Sequence, residues 1–290
     1  MPAVFSVVLT WNNLGETIAC LESLQRTAYD AGRHHVILVD NASSDGTVDR
    51  VRAQFPAVRV IANRRNLGYA AGCNVGIGAA LDAGADYVWL LNNDARAAPD
   101  ALREMVRIAE SDPTIGIVGP RVRTRAGVDE LGAWVDLAGA RVRVAGADDP
   151  PLGADRFAVD YVWGCAMLVA ARVFDRVGGF DERFVAYFED TDLCWRAQRA
   201  GFQVVAAPAA LVWHGGARSA DRRPLWQLWR RAMGRLRFFW KHTRGRARAG
   251  AAARTIGREW PLLAAGTVLR HWRGQRARAA HPDREGMREG

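Results

Sequence analysis

No stretch of this chain approaches the roughly 18 to 20 consecutive apolar residues that a bilayer crossing requires, so a transmembrane protein is not expected. Cysteine is scarce too. Cys20, Cys73, Cys165 and Cys194 are scattered, without a C-x-x-C pair or a neighbouring histidine cluster, which argues against structural zinc and against a disulfide framework. Reduced thiols fit a cytoplasmic location. The opening MPAVFSVVLTWNN has no basic n-region and too short an apolar run for a signal peptide, and it reads as a first strand. The glycine-rich NRRNLGYAAGCNVGIGAA lacks the GK[ST] ending of a Walker loop and the spacing of a dinucleotide fingerprint.

The chain does have the balance of a folded globular protein, with 49% hydrophobic and 24% charged residues. Its 290 residues suffice for one large domain or two small ones. The net charge of +9 is uneven, because arginine crowds the chain from Arg218 onward while carboxylates gather in the first three quarters. A basic tail implies an anionic partner, a membrane surface or nucleic acid.

Apolar runs alternate with amphipathic stretches from the start. Strands are expected at 4–10, 36–39, 58–62, 87–91 and 115–118. Helices are expected at 16–29, from Thr47 with a Ser or Asp cap, at 69–83 and at 99–110. This repeated βαβ pattern predicts an α/β fold with a doubly wound, mostly parallel sheet. Between Arg121 and Ala158 the pattern changes to short β pieces, 134–137 and 141–144, read as insertions beside the sheet. A short helix ending at Gly178-Gly179, a helix that follows Phe188-Glu189-Asp190 and extends to about Ala200 with Gly201 as its stop, and strand pieces at 204–206 and 211–213 close the domain, 1–219. Residues 220–290 read as a basic extension of two amphipathic helices rich in Trp and Arg, fraying after about His281.

The chemistry-bearing residues stand at the ends of these elements. YVWLLNND, Tyr87 to Asp94, runs a buried strand into Asn92, Asn93 and Asp94, delivering a metal-competent carboxylate to the strand's C-terminal end, where open α/β sheets bind ligands. The alternative is a polar turn. Asp40 has the same placement and can accept a hydrogen bond from a nucleobase or ribose, or form an Asx turn. In the glycine-rich segment, which also carries Asn66, the glycines beginning with Gly68 permit close backbone approach and Arg64 or Arg65 can face a diphosphate, while small residues for helix–sheet packing are the competing explanation. Glu189, Asp190 and Asp192 crowd a helix start, and Asp192 has an i,i+4 partner in Arg196. Trp163-Gly164 and Asp181 can supply a platform and a turn at a sugar site. His214 is followed by two glycines that leave its imidazole accessible, against the commoner structural role of a lone histidine.

Taken in order, VVLTWNN, VDNASSDGT, NLGYAAGCNVGI, LLNNDA, GGFDERF to FEDTDLCWRAQRAG, and WHGGARS resemble glycosyltransferase family 2, inverting enzymes with a GT-A fold, over about residues 3 to 219. The look is that of bacterial rhamnosyltransferases of cell-envelope polysaccharide assembly. The resemblance implies a nucleotide-sugar donor and a lipid-linked or glycan acceptor. It also implies a nucleobase contact at Asp40, Mg²⁺ or Mn²⁺ on Asp94 with His214 as a further metal or diphosphate contact, and Asp190 as the base with Glu189 beside it. Asn92 stands where the DXD motif has its first acid. The basic extension would then sit on the inner face of the membrane, and nucleic acid is the less favoured partner. Two other classes remain open on sequence, a nucleotidyltransferase, which would release pyrophosphate, and a nucleic-acid-binding protein.

Overall fold

Runs of β-branched and large apolar residues build the centre of the sheet because both of its faces are covered, which demands strands apolar throughout. The computed structural model describes residues 1–150, 153–184, 186–215, 224–254 and 256–257, with backbone alone at 224–228 and 246–247. Strands β1 (Val4–Thr10), β2 (His34–Asp40), β3 (Arg59–Ala62) and β4 (Tyr87–Asn92) run parallel to one another. Val4, Val7, Val8, Leu38, Val39, Val88, Trp89 and Leu90 are buried. At about 1.5 to 3 kcal/mol for each large apolar side chain removed from water, this strand core is a principal source of stability.

The order across the sheet is β3-β2-β1-β4-β10-β6-β11-β5. From β1 the chain steps outward to β2 and β3, then returns to the other side of β1 for β4. The β1/β4 border is therefore the switch point, where a crevice opens beyond the carboxyl ends of the strands. Beyond β4 lies β10 (Ala166–Ala170), antiparallel to β4 and to β6 (Ile115–Thr124). Next comes β11 (Gln203–His214), parallel to β6, and at the edge β5 (Ala95–Ala97), antiparallel to β11. The expected mostly parallel α/β sheet is observed, with antiparallel strands let into it.

Several boundaries differ from the sequence reading for identifiable reasons. The two pieces expected at 204–206 and 211–213 are one strand, β11, whose register against β6 shifts between Ala207 and Leu211 around Pro208, a residue without a backbone donor. β6 runs six residues past Val118, to Thr124, and carries the insertion, a hairpin of β7 (Asp129–Asp136) and β8 (Arg141–Gly146); the two-residue β9 (Phe157–Ala158) pairs with β11. β10 is built from the apolar run after Trp163; its start, rather than its end, lies at the ligand edge because it runs backward.

Helices α1 (Leu14–Gln25), α2 (Thr47–Gln54), α3 (Tyr69–Asp82), α4 (Ala101–Glu110), α5 (Ala171–Val177) and α6 (Glu189–Arg199) connect these strands. α2 is not capped as expected. Gly46 holds the N-cap position in a left-handed conformation, and Asp45, one residue earlier, accepts from Thr47 N at 3.2 Å. The small residues of α3 serve packing, since a Cβ on Gly76 would come within 2.3 Å of Val7 Cγ1, and one on Gly72 within 2.6 Å of Leu9 Cδ1. Gly201, at φ +95°, ends α6 as expected.

The chain divides into two compact units, residues 1–136 with 141–218 and residues 137–140 with 219–290. Within the second, α7 (Pro224–His242) and α8 (Gly245–Arg254) are helical, and Phe238 packs edge-on to Phe239 at 5.3 Å. The helix expected from Glu259 onward, the fraying after His281 and the 219/220 boundary lie outside the described residues. Among the described residues no helix is long and apolar enough to cross a membrane.

Candidate active site

The parallel strands end together, so the residues just past them share one edge. Register sets Thr10 of β1 opposite Asp40 of β2, and Asp40 opposite Ala62 of β3. Asp40 is buried, and its Oδ2 accepts the Ser43 amide at 2.8 Å in a turn that forces Ala42 to φ +62°. Its Oδ1 is buried with no partner. The turn thus uses one oxygen and leaves the other, at a cost of about 1 to 3 kcal/mol while unpaired, ready for a donor.

Beside it, Asn41 ties two loops together. Its amide donates to the Gly68 carbonyl at 2.9 Å and its oxygen accepts from Asn63 Nδ2 at 2.9 Å. Asn66 Oδ1 accepts the Gly68 amide at 2.8 Å, and Gly68 adopts φ +84°, ψ −178°, a region open essentially to glycine alone. Asn66 and Gly68 thus shape the loop through its backbone, with Arg64 and Arg65 exposed on it.

At the end of β4 the three polar residues take different directions. Asn93 turns inward, donating to Thr10 Oγ1 at 3.1 Å and Thr17 Oγ1 at 3.0 Å, so its amide group braces β1 against α1. Asn92 Nδ2 lies 3.3 Å from His214 Nε2, and its buried Oδ1 has no partner. Asp94 Oδ1 lies 3.2 Å from the same Nε2. β5 makes this meeting happen, pairing Ala95 with His214 directly after Asp94. Burial works against the imidazolium, but Cys165 and Asp94 beside it prevail and push His214 up to about 11. Among the described residues no group of three or more His, Cys, Asp or Glu side chains could hold a metal. One carboxylate, the free Asn92 oxygen and the His214 imidazole, once it gives up its proton to the incoming ion, suit a divalent cation whose remaining positions are filled by ligand oxygens.

On the other flank, α6 brings Glu189 and Asp190 to the loop before β10. Asp190 Oδ2 accepts the Gly164 amide at 2.9 Å, while Oδ1 accepts the Thr191 amide at 2.7 Å. Burial raises the Asp190 pKa, opposed by these bonds. Tyr69 donates to the Gly164 carbonyl at 2.9 Å, and a Cβ on Gly164 would lie 3.1 Å from that of Asp190, so the loop, α3 and α6 meet at one glycine. Glu189 is only 6% exposed and its Oε2 has no partner; burial and the nearby Asp190 push its carboxyl well above the usual range. The residues leading to this pair are strained, with Tyr187 at φ +69° and Phe188 at φ +71°. Trp163 Nε1 is also buried without a partner.

Two acids are committed elsewhere. Asp192, fully buried, pairs with Arg196 at 2.7 Å, and that guanidinium also donates to the carbonyls of Val177 and Gly179. Asp181 is held by Arg183 through Nε at 2.8 Å and Nη2 at 2.6 Å. Its loop is fastened to α3, where Asn74 exchanges bonds with both Phe180 backbone groups. Sequence reasoning did not single out Tyr69, Asn41 or Cys165. The position of Tyr69 directly after the Gly68 kink was the available signal.

A family model described as "Glycosyltransferase like family 2" matches residues 2–236. The chain belongs to glycosyltransferase family 2. It is 32% identical, over 65% of its length and 69% of the relative's, to the N-acetylglucosaminyl-diphospho-decaprenol L-rhamnosyltransferase of Mycobacterium tuberculosis. It is 28% identical to the low-salt glycan biosynthesis hexosyltransferase Agl10 of Haloferax volcanii, over 60% and 56% of the two chains. Among solved structures, the mannosyltransferase PcManGT of Pyrobaculum calidifontis, in complex with GDP-Man and Mn²⁺, superposes with a TM-score of 0.64 at 20% identity, over 97% of this chain and 76% of that one. This family 2 member is accordingly a glycosyltransferase with the GT-A arrangement, as its motifs imply.

Proposed function

We propose that this glycosyltransferase moves a sugar, rhamnose by likeness to its mycobacterial relative, from a nucleotide diphosphate to a lipid-linked or glycan acceptor in cell-envelope polysaccharide assembly, with inversion. The observation that carries the reading is the pair of buried, unpartnered acceptors Asp40 Oδ1 and Asn92 Oδ1 at the ligand edge, the second beside Asp94 and His214. Asp40 suits a nucleobase N–H. Asp94 and His214, with Asn92, suit Mg²⁺ or Mn²⁺, which when bound would neutralise charge developing on the diphosphate leaving group.

The acceptor oxygen attacks the anomeric carbon as the bond to the diphosphate oxygen breaks, and Asp190 takes the hydroxyl proton. One displacement inverts the centre without a covalent enzyme intermediate. The Gly164 and Thr191 amides hold the Asp190 carboxylate in a single orientation, and Asp192, tied to Arg196, is no rival for that role. Burial and the neighbouring Asp190 both disfavour ionisation of Glu189, which works against a second charge beside the base. Trp163 and Gly164 frame the acceptor side, while Asp181 acts through the loop it braces.

The test is a panel of sugar nucleotides assayed for nucleoside diphosphate release with Mn²⁺ and with EDTA. Release from one donor that requires the metal, and is lost in Asp94→Ala, is the expected result. His214→Ala should weaken release less. Full turnover of Asp94→Ala in EDTA would contradict the proposal.

A further inference from the structure

The basicity of this protein is confined to one part of it. Residues 219–290 hold eighteen Lys and Arg against five Asp and Glu, whereas residues 1–218 hold 22 against 26 and are net acidic. Such a division concentrates attraction for an anionic surface in one segment.

The described part of that segment adds a second observation. Among its described side chains α7 exposes two tryptophans, Trp229 at 47% and Trp240 at 54%. They stand eleven residues apart, about three helical turns, and so project from the same side of the helix. Phe238 and Phe239 are buried on other sides. Each exposed indole has a guanidinium packed over it, Arg230 over Trp229 at 5.1 Å and Arg248 over Trp240 at 4.6 Å. An indole under a guanidinium is an apolar slab with a cationic cap, the combination that sits at the boundary between acyl chains and headgroups. A nucleic acid would also attract the charge, but two indoles aligned on one helix side favour a planar apolar boundary.

We infer that the Trp229/Trp240 side of α7 is a docking surface for an anionic phospholipid bilayer, with the indoles entering the interface and the surrounding arginines on lipid phosphates. The inference concerns binding alone and does not depend on the reaction proposed above. Its failure and that of the catalytic reading are therefore separable.

The experiment is flotation of the full chain, without substrates, on vesicles of phosphatidylglycerol and phosphatidylcholine in equal parts, beside vesicles of phosphatidylcholine alone. Binding to the anionic vesicles is expected, weakening steeply as salt rises from about 0.05 to 0.5 M as the Debye length contracts. The double variant Trp229→Ser, Trp240→Ser should lose affinity by about tenfold or more while keeping the parent's far-UV circular dichroism and a cooperative unfolding transition. Val128→Ser, at a 56% exposed apolar site on another element, should bind as the parent does. Absence of vesicle binding, equal binding to neutral vesicles, an unaffected double variant, or binding to duplex DNA in place of vesicles would each overturn the inference.

Discussion

Replacing Asp190 by asparagine should separate catalysis from architecture, and the two effects can be worked out from its bonds. Its two oxygens accept from opposite sides, the Gly164 amide on Oδ2 and the Thr191 amide on Oδ1. Asparagine offers one oxygen and one NH₂, so in either orientation a donor faces a backbone donor. One buried amide loses its partner, which costs about 1 to 3 kcal/mol of stability, an exchange the word conservative would hide. The chemical effect is larger. Removing the proposed general base should lower kcat by about 10²- to 10⁴-fold, with little change in donor affinity because the proposed donor contacts at Asp40 and Asp94 are untouched. Single-turnover kinetics with calorimetric donor binding measure both, and denaturant unfolding measures the stability loss. Near-normal kcat in Asp190→Asn, with the loss appearing in Glu189→Gln, would move the base to that neighbour.

The remaining expectations follow from the same contacts. Because burial raises the Asp190 pKa, kcat should fall with acidification at a higher pH than an ordinary aspartate would give, as read from the pH–rate profile. Glu189, raised well above its usual value in the folded state, favours folding while protonated, below the unfolded-state pKa. That contribution is lost as pH rises toward the folded value, so Glu189→Gln should be more stable than the parent in alkaline unfolding titrations and no more stable in acid ones. Asp192→Asn leaves the partly buried Arg196 guanidinium with its two carbonyl partners but without its carboxylate, and should cost about 1 to 3 kcal/mol in denaturant unfolding.

Much of this architecture was legible from residue types. β1, β2 and β4 announce themselves as predominantly apolar runs, interrupted in β1 only by Ser6 and preceded in β2 by two histidines, that end in Thr10, Asp40 and Asn92, and that was enough to place Asp40 and Asp94 on one edge. Strand direction is not written in composition, so the antiparallel course of β10, which brings Trp163 and Gly164 to the same edge, emerges only from pairing. β5 is three residues long and gives no periodic signal, yet it carries the approach of His214 to Asp94. Nor could spacing tell that Asn93 turns inward to Thr10 and Thr17 while Asn92, its neighbour, turns toward His214. That division depends on the twist of a single turn. The pairing of Asp192 with Arg196 was readable because helical i,i+4 geometry is local. The bond from Tyr69 to Gly164, 95 residues away, was not.

The most direct test of the account is the anomeric configuration of the product together with the leaving group. With the preferred donor and a soluble acceptor analogue, NMR should show a glycosidic bond of configuration opposite to that of the donor, one nucleoside diphosphate being released per sugar transferred. Retention of configuration, or release of pyrophosphate in place of nucleoside diphosphate, would contradict it.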